Sequence, residues 1–330
     1  MSKKSPLNNF FPAIFVALTI GFVGCGNQAV RTTFTQTSTQ VNENLPHVVA
    51  TTSVLCDLTR QVAGNTVNLT CLISPTADPQ FYKPKSEDRK AIEQANLILY
   101  NGYNFEPNLI KLIKATKNRA PKIGVAQLAV PKPQKFQVDG KNVSDPHVWH
   151  NTKNAIRMVE VINSNLRKLQ FSDADAYTNN TKKITNELTQ LDSWIKSRIA
   201  SIPTKERKLV TTSDALSYYT KAYRVSLAGG LQSISTNEKL TDEQVKNLAT
   251  NIKRAKVSTI FAEVEINSNL IQSVAREAQV NIFDRKLYAE GLGEPGSEAD
   301  TYQKMMITNT RTIVEGLGGT YLMFEAKATR

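Results

Sequence analysis

Histidine is scarce in this chain: only His47, His147 and His150 occur among 330 residues. There is no His-Glu-x-x-His pair, no Gly-x-Ser-x-Gly turn and no Gly-rich phosphate loop. The local arrangements that serve metalloproteases, serine hydrolases and nucleotide enzymes are therefore missing, and an enzyme is not expected. No block of five or more like charges occurs, although the formal net charge is +12. Scattered basic residues of this kind read as a solvated surface, not as a nucleic-acid groove. Nor is there a short-period repeat.

What is present begins with a targeting pattern. Met1-Ser2-Lys3-Lys4 is basic, and an apolar run from Phe10 to Val23 follows, interrupted by Pro12, Thr19 and Gly21. The run is too short for a membrane span, which needs about 18–20 residues, and has the layout of a secretory signal. Phe22-Val23-Gly24-Cys25 resembles the lipobox of bacterial lipoproteins, with Phe22 where Leu is usual. Cys25 is then the acylated first residue of the mature protein. Residues 26–45 are rich in Thr, Gln, Asn and Ser, too polar to bury a core, and read as a flexible tether. The expected location is the periplasmic or extracellular face of a membrane, anchored by lipid, where nucleic acid is not a partner. After Cys25 only Cys56 and Cys71 remain. In an exported protein they either pair or persist as buried thiols, and the sequence does not supply the Cα separation that decides.

Roughly 285 further residues are large for one core and typical of two lobes. Strand-like runs at 47–52, 67–73, 97–100 and 122–126 alternate with helical patterns at 53–64, 86–95 and 106–116. Such alternation predicts a parallel sheet with helices on both faces. From Asp173 to Ile199, Tyr177, Ile184, Leu188, Leu191, Ile195 and Ile199 recur at helical spacing, with Ser172 a candidate N-cap and Pro203 beyond the end. A second alternation follows, with strands at 209–212, 225–228, 259–263 and 280–284 and helices at 214–223, 241–255, 267–278 and 300–317. The predicted organisation is a signal peptide (1–24), a tether (25–45), an N-terminal α/β lobe (46–172), a linking helix (173–200) and a C-terminal α/β lobe (201–330). Ligands in doubly wound sheets bind beyond the carboxyl ends of the strands, which directs attention to Ser53, residues 78–82, Gly102, His147, Ser213, Asp214, Glu263 and Asp284.

Several segments together carry a resemblance. They are Val48-Val49-Ala50-Thr51-Thr52-Ser53, Asp78-Pro79-Gln80-Phe81-Tyr82-Lys83-Pro84, Leu97-Ile98-Leu99-Tyr100-Asn101-Gly102, Asp145-Pro146-His147-Val148-Trp149 and Tyr219-Thr220-Lys221-Ala222-Tyr223. In order and spacing the chain resembles the solute-binding lipoproteins of ABC transporters for manganese and zinc, from about residue 46 to 320. The resemblance implies two doubly wound α/β lobes joined by one long rigid helix, with a ligand cleft between them. It implies a monomer that captures Mn²⁺ or Zn²⁺ outside the membrane and delivers it to an ABC permease driven by an ATPase subunit. Four side chains hold the metal in this family. Carried onto this sequence they fall on Gln80, His147, Ser213 and Asp284.

Two of those four are weak donors. First-row dications prefer imidazole, carboxylate or thiolate, whereas Gln80 offers an amide oxygen and Ser213 a hydroxyl. Weak metal binding is expected unless Asp214, Glu263, His150 or Asp78 supplies a substitute ligand. Lys83 and Arg285 stand where the family carries Glu and Ser; long basic side chains usually turn to solvent. Many zinc-specific members carry a His-rich loop, which this chain lacks. Two other readings use the same scaffold: a site for a chelated metal or an anion, or a structural or adhesion lipoprotein with a vestigial cleft.

Overall fold

Apolar residues in the first strand alternate between two destinations. Val48 and Ala50 enter one buried cluster and Val49 another; Leu97 and Leu99 join the first and Ile98 the second. A strand buried on both faces reads as a continuous apolar run, and that is how these segments are written. The computed structural model describes residues 44–138, 141–227, 241–264 and 268–327. The predicted signal, Cys25 and nearly all of the tether lie outside the described residues. No described helix is long and apolar enough to cross a membrane.

The first lobe starts with β1 (His47–Ala50), α1 (Ser53–Ala63), β2 (Asn68–Cys71), α2 (Ser86–Gln94), β3 (Leu97–Tyr100), α3 (Pro107–Ala115), β4 (Lys122–Gly124) and α4 (Val125–Ala129). Its four strands are parallel in the order β2-β1-β3-β4. The Thr52 hydroxyl caps α1 by accepting from the Leu55 amide, and Gly64 ends the helix at φ 58°, a left-handed conformation that glycine adopts cheaply. Cys56 in α1 and Cys71 at the end of β2 form a disulfide, with Cα atoms 5.6 Å apart.

An antiparallel hairpin of β5 (Lys135–Val138) and β6 (Lys141–Ser144) follows, then α5 (Thr152–Leu169). Neither was expected from the sequence. Helix α6 (Ala174–Ala200) has 27 residues and so spans about 40 Å. Its buried stripe holds all six apolar residues predicted for it, Tyr177 to Ile199. Ser172 is not its cap: it lies in a short 3₁₀ turn, Phe171–Asp173, and Asp173 precedes the helix.

The second lobe comprises β7 (Lys208–Leu209), α7 (Ser217–Tyr223), β8 (Ser226–Leu227), α8 (Asp242–Ala255), β9 (Thr259–Ile260), α9 (Ser268–Ala278), β10 (Asn281–Ile282) and α10 (Tyr302–Gly316). Parallel pairs β7–β8 and β9–β10 are joined by a bridge from Thr211 to Phe261, and a bridge from Glu263 to Leu287 prolongs the second pair. These strands are shorter than predicted. Leu209 and Phe261 face the same cluster as Val48, while Val210, Ile260 and Ala262 face a separate one beneath α8 and α9. One apolar core therefore runs from the first sheet through Val159 and Ile162 of α5, Leu188 and Ile195 of α6 and Met305 and Ile313 of α10 to the second sheet.

Candidate metal centre

The site is built on the turn that follows β6. Glu106, wholly buried at the start of α3, accepts from the Thr51 hydroxyl and the Asn101 amide, each at 2.7 Å. Burial pushes its carboxyl up to about 7, against those hydrogen bonds. Asn101 in turn donates to the Pro146 carbonyl at 3.1 Å. Beyond the turn, the Tyr302 hydroxyl donates to the Trp149 carbonyl at 2.7 Å, and Phe105 meets the His147 ring edge-on at 5.3 Å. The turn is thus fixed at both ends before any ligand arrives.

His147 is 6 % exposed. Its Nδ1 lies 2.8 Å from Oδ1 of Asp145, so Nδ1–H donates there and Nε2 is turned the other way. There it meets Oε2 of Glu290 at 3.3 Å. Burial opposes a charged imidazole, but Glu290 and Asp145 outweigh it and raise its pKa to about 10. That shift favours an imidazolium in the metal-free protein, set between the Asp145 and Glu290 side chains. Asp145 is itself held by the Ser217 hydroxyl of α7.

Glu263 lies beside this pair. It is fully buried, and its Oε1 accepts from both the Ser213 amide and hydroxyl at 3.0 Å. Burial and the charge of Glu290 raise it to about 7, against the Ser213 bonds. Its Oε2 has no hydrogen-bond partner among the described residues. Asp214 is raised by burial and by Asp145, and lowered in turn by His147, which places it in the same field. Among the described residues no three or more His, Cys, Asp or Glu side chains are already gathered as a metal-binding group. The assembled element is the His147–Glu290 pair, with Glu263 and Asp214 around it.

The residues expected at the site fare differently. His147 is central. Ser213 reaches the site but as a donor to Glu263, so its hydroxyl is committed to the carboxylate. Gln80 is exposed, its amide donating to Asp78 Oδ1 at 2.8 Å, and Asp78 acts as a turn former there. His150 is buried, with Nε2 2.8 Å from the Ala289 carbonyl, so Nε2–H donates; burial keeps it neutral, with a pKa of about 4. Asp284 is exposed. Strand β10 ends at Ile282, two residues earlier than the prediction, and Asp284 falls in the outward bend. The chain returns to the sheet at Leu287, and that return brings Glu290 to the site. Lys83 is exposed, and Arg285 pairs with Glu315 of α10.

Sequence reasoning missed Glu290. Its only signal was a carboxylate followed by glycine, Glu290-Gly291, ahead of the last helix. Asp145 was visible in its pentapeptide, but its orienting role was not.

The comparisons agree with this architecture. The chain is 31% identical over 313 residues to the manganese ABC transporter substrate-binding lipoprotein PsaA of Streptococcus pneumoniae, covering 92% of this chain and 97% of that protein. It is 29% identical over 314 residues to the metal ABC transporter substrate-binding lipoprotein ScbA of Streptococcus cristatus, covering 93% and 98%. Among solved structures, the periplasmic zinc-binding protein TroA of Treponema pallidum superposes with a TM-score of 0.77 at 28% identity, covering 83% of this chain and 99% of that one. Residues 48–316 match the sequence family described as ZnuA, zinc-uptake complex component A, periplasmic, and the chain belongs to that family.

Proposed function

We propose that this protein is the extracytoplasmic solute-binding component of an ABC importer and captures a divalent metal ion, Mn²⁺ or Zn²⁺, for delivery to a permease. Members of such importers work with permease and ATPase subunits. Cys25 carries the lipid anchor, in keeping with relatives named as lipoproteins, and the protein acts as a monomer without catalysis.

The observation that carries the reading is the facing pair of His147 Nε2 and Glu290 Oε2, 3.3 Å apart. With metal–ligand bonds of about 2.0–2.2 Å, that separation corresponds to a ligand–metal–ligand angle of roughly 100°, suitable for a shared ion. A shared ion would take the place of the hydrogen bond between them. Glu263 and Asp214 share the electrostatic field of this pair and are the candidate further ligands, and Asp145 orients the imidazole from behind, as carboxylates do in many metal sites. A buried imidazole set between Asp145 and Glu290, with Glu263 and Asp214 in the same field, favours a cation. An anion or chelate reading needs positive charge at the site, and Arg285 is instead paired with Glu315 of α10. Titration of the mature protein with MnCl₂ and ZnCl₂, followed by metal analysis, tests the assignment. One tightly held ion per chain is expected; no binding of either would overturn it.

A further inference from the structure

Glu290 belongs to a span whose anchors change lobes. Leu287 is tied to the second sheet through Ala262 and Val264, each at 2.9 Å. Asn309 of α10 brackets Tyr288 with two bonds of 2.8 Å. The partners of Ala289, Leu292 and Glu294 come instead from the first lobe. His150 Nε2–H donates to the Ala289 carbonyl at 2.8 Å. The Leu292 amide donates to the Ser53 hydroxyl at 3.0 Å, and the Leu292 carbonyl accepts from the Thr76 amide at 3.2 Å. The Thr76 hydroxyl then donates to Glu294 Oε1 at 3.0 Å. The backbone on either side of Glu290 is therefore pinned across the lobe boundary, one residue before it and two after. Gly291 makes the second pin possible, since a Cβ there would lie 2.7 Å from Ser53 Oγ.

We infer that Ser53 is a positioning residue for metal capture. By accepting the Leu292 amide, its hydroxyl keeps Glu290 aimed at Nε2 of His147, without touching the ion. The inference rests on Glu290 being a ligand, as proposed above. A glutamate side chain has three rotatable bonds, so it is an effective ligand only when its backbone is held; immobilising it in advance lowers the cost of binding. Removing the hydroxyl leaves the buried Leu292 N–H without its acceptor and frees the span to carry Glu290 away.

Isothermal titration of Mn²⁺ into the full mature protein tests this as a double-mutant cycle. Ser53→Ala should weaken binding about 10–100-fold, the usual effect of losing a group that orients a ligand. In a Glu290→Gln background, where the amide oxygen leaves residual binding, Ser53→Ala should cost nothing further. Gly291→Ala, which pushes the span off Ser53 while keeping its hydroxyl, should reproduce the loss and guards against misfolding of the first variant. Unchanged affinity in Ser53→Ala overturns the inference. So does an equal further loss in the Glu290→Gln background, which would mark a general structural effect. If Glu290→Gln itself binds as well as wild type, the ligand assignment fails first and the inference with it.

Discussion

Oε2 of Glu290 lies 3.3 Å from Nε2 of His147, although 143 residues separate the two in the chain. Glu290→Gln should therefore weaken Mn²⁺ binding by at least about 100-fold, more than the loss of an outer partner. Asp284→Asn, at an exposed bend, should leave affinity unchanged. Calorimetry on the two variants separates them; the opposite ranking would return the ligand role to Asp284.

Metal capture should release protons. His147 holds its proton to about pH 10, so an incoming ion must displace it. Affinity should climb about tenfold per pH unit between pH 7 and 9, with close to one proton released per ion. Below about pH 7 the Glu263 proton adds to the count. Titrations in buffers of different ionisation enthalpy give the number directly, and zero release at pH 8 would show a neutral imidazole in the metal-free protein. A sequence-level expectation from an ordinary histidine would place the fall in affinity below about pH 6.5; the paired carboxylates move it upward.

The same shift governs stability. The folded pKa of His147 is raised above its unfolded value of about 6.5, so its contribution is fully present below about pH 6.5 and is lost as pH rises through about 10. Glu263, raised from 4.5 to about 7, acts in the same direction within its own lower window. Metal-free protein should accordingly melt at progressively lower temperature from pH 6 to pH 10. Glu290→Gln should flatten the upper part of that decline; a wild-type melting temperature constant over the range would contradict the imidazolium assignment.

The disulfide should matter to folding and not to cargo. Cys56 and Cys71 are 15 residues apart, and closing a loop of that length contributes about 3 kcal/mol in the chain-entropy description. The double variant Cys56→Ser, Cys71→Ser should lose about 2–4 kcal/mol in denaturant unfolding while keeping its Mn²⁺ affinity within about twofold. A large affinity loss would link α1 to the metal more strongly than the Ser53 contact alone.

Replacing Cys25 by Ala should release the protein from membranes without changing its circular dichroism or melting. Fractionation of expressing cells reads this out. Retention of a cleaved variant would reveal another anchor.

Most of the architecture was legible because its signals are local. The strand at Val48 and the stripe on α6 are repeating apolar patterns that follow from burial on two faces or one. Helix α5 carries the same kind of period, with Ala155, Met158, Val159, Ile162 and Leu166 all on its buried face, but it follows directly on the His147 turn and has no apolar strand-like run directly ahead of it to mark an alternation. The site was legible only where a motif surrounds it, at Asp145-Pro146-His147. Asp284 looked correct because it ends an apolar run; nothing local says that the chain leaves the sheet at Ile282 and returns at Leu287. Glu263 was visible as a strand-end carboxylate, but its bond to Ser213 depends on two β-strands meeting 50 residues apart. Distances of that kind are set by topology, and a linear pattern does not encode them.

The single core shared by both sheets bears on how fast cargo can leave. Swinging the lobes apart like jaws would uncover side chains such as Val159, Leu188, Ile195 and Met305, each wholly buried. Exposing ten of them costs on the order of 15–30 kcal/mol, beyond the 5–15 kcal/mol that holds a typical protein folded. An opening confined to the hydrogen bonds around Ala289 and Leu292 would leave that core intact, as a local motion of microseconds to milliseconds. On that route the residence time of the ion becomes a property of this short span, with no need to prise the molecule open.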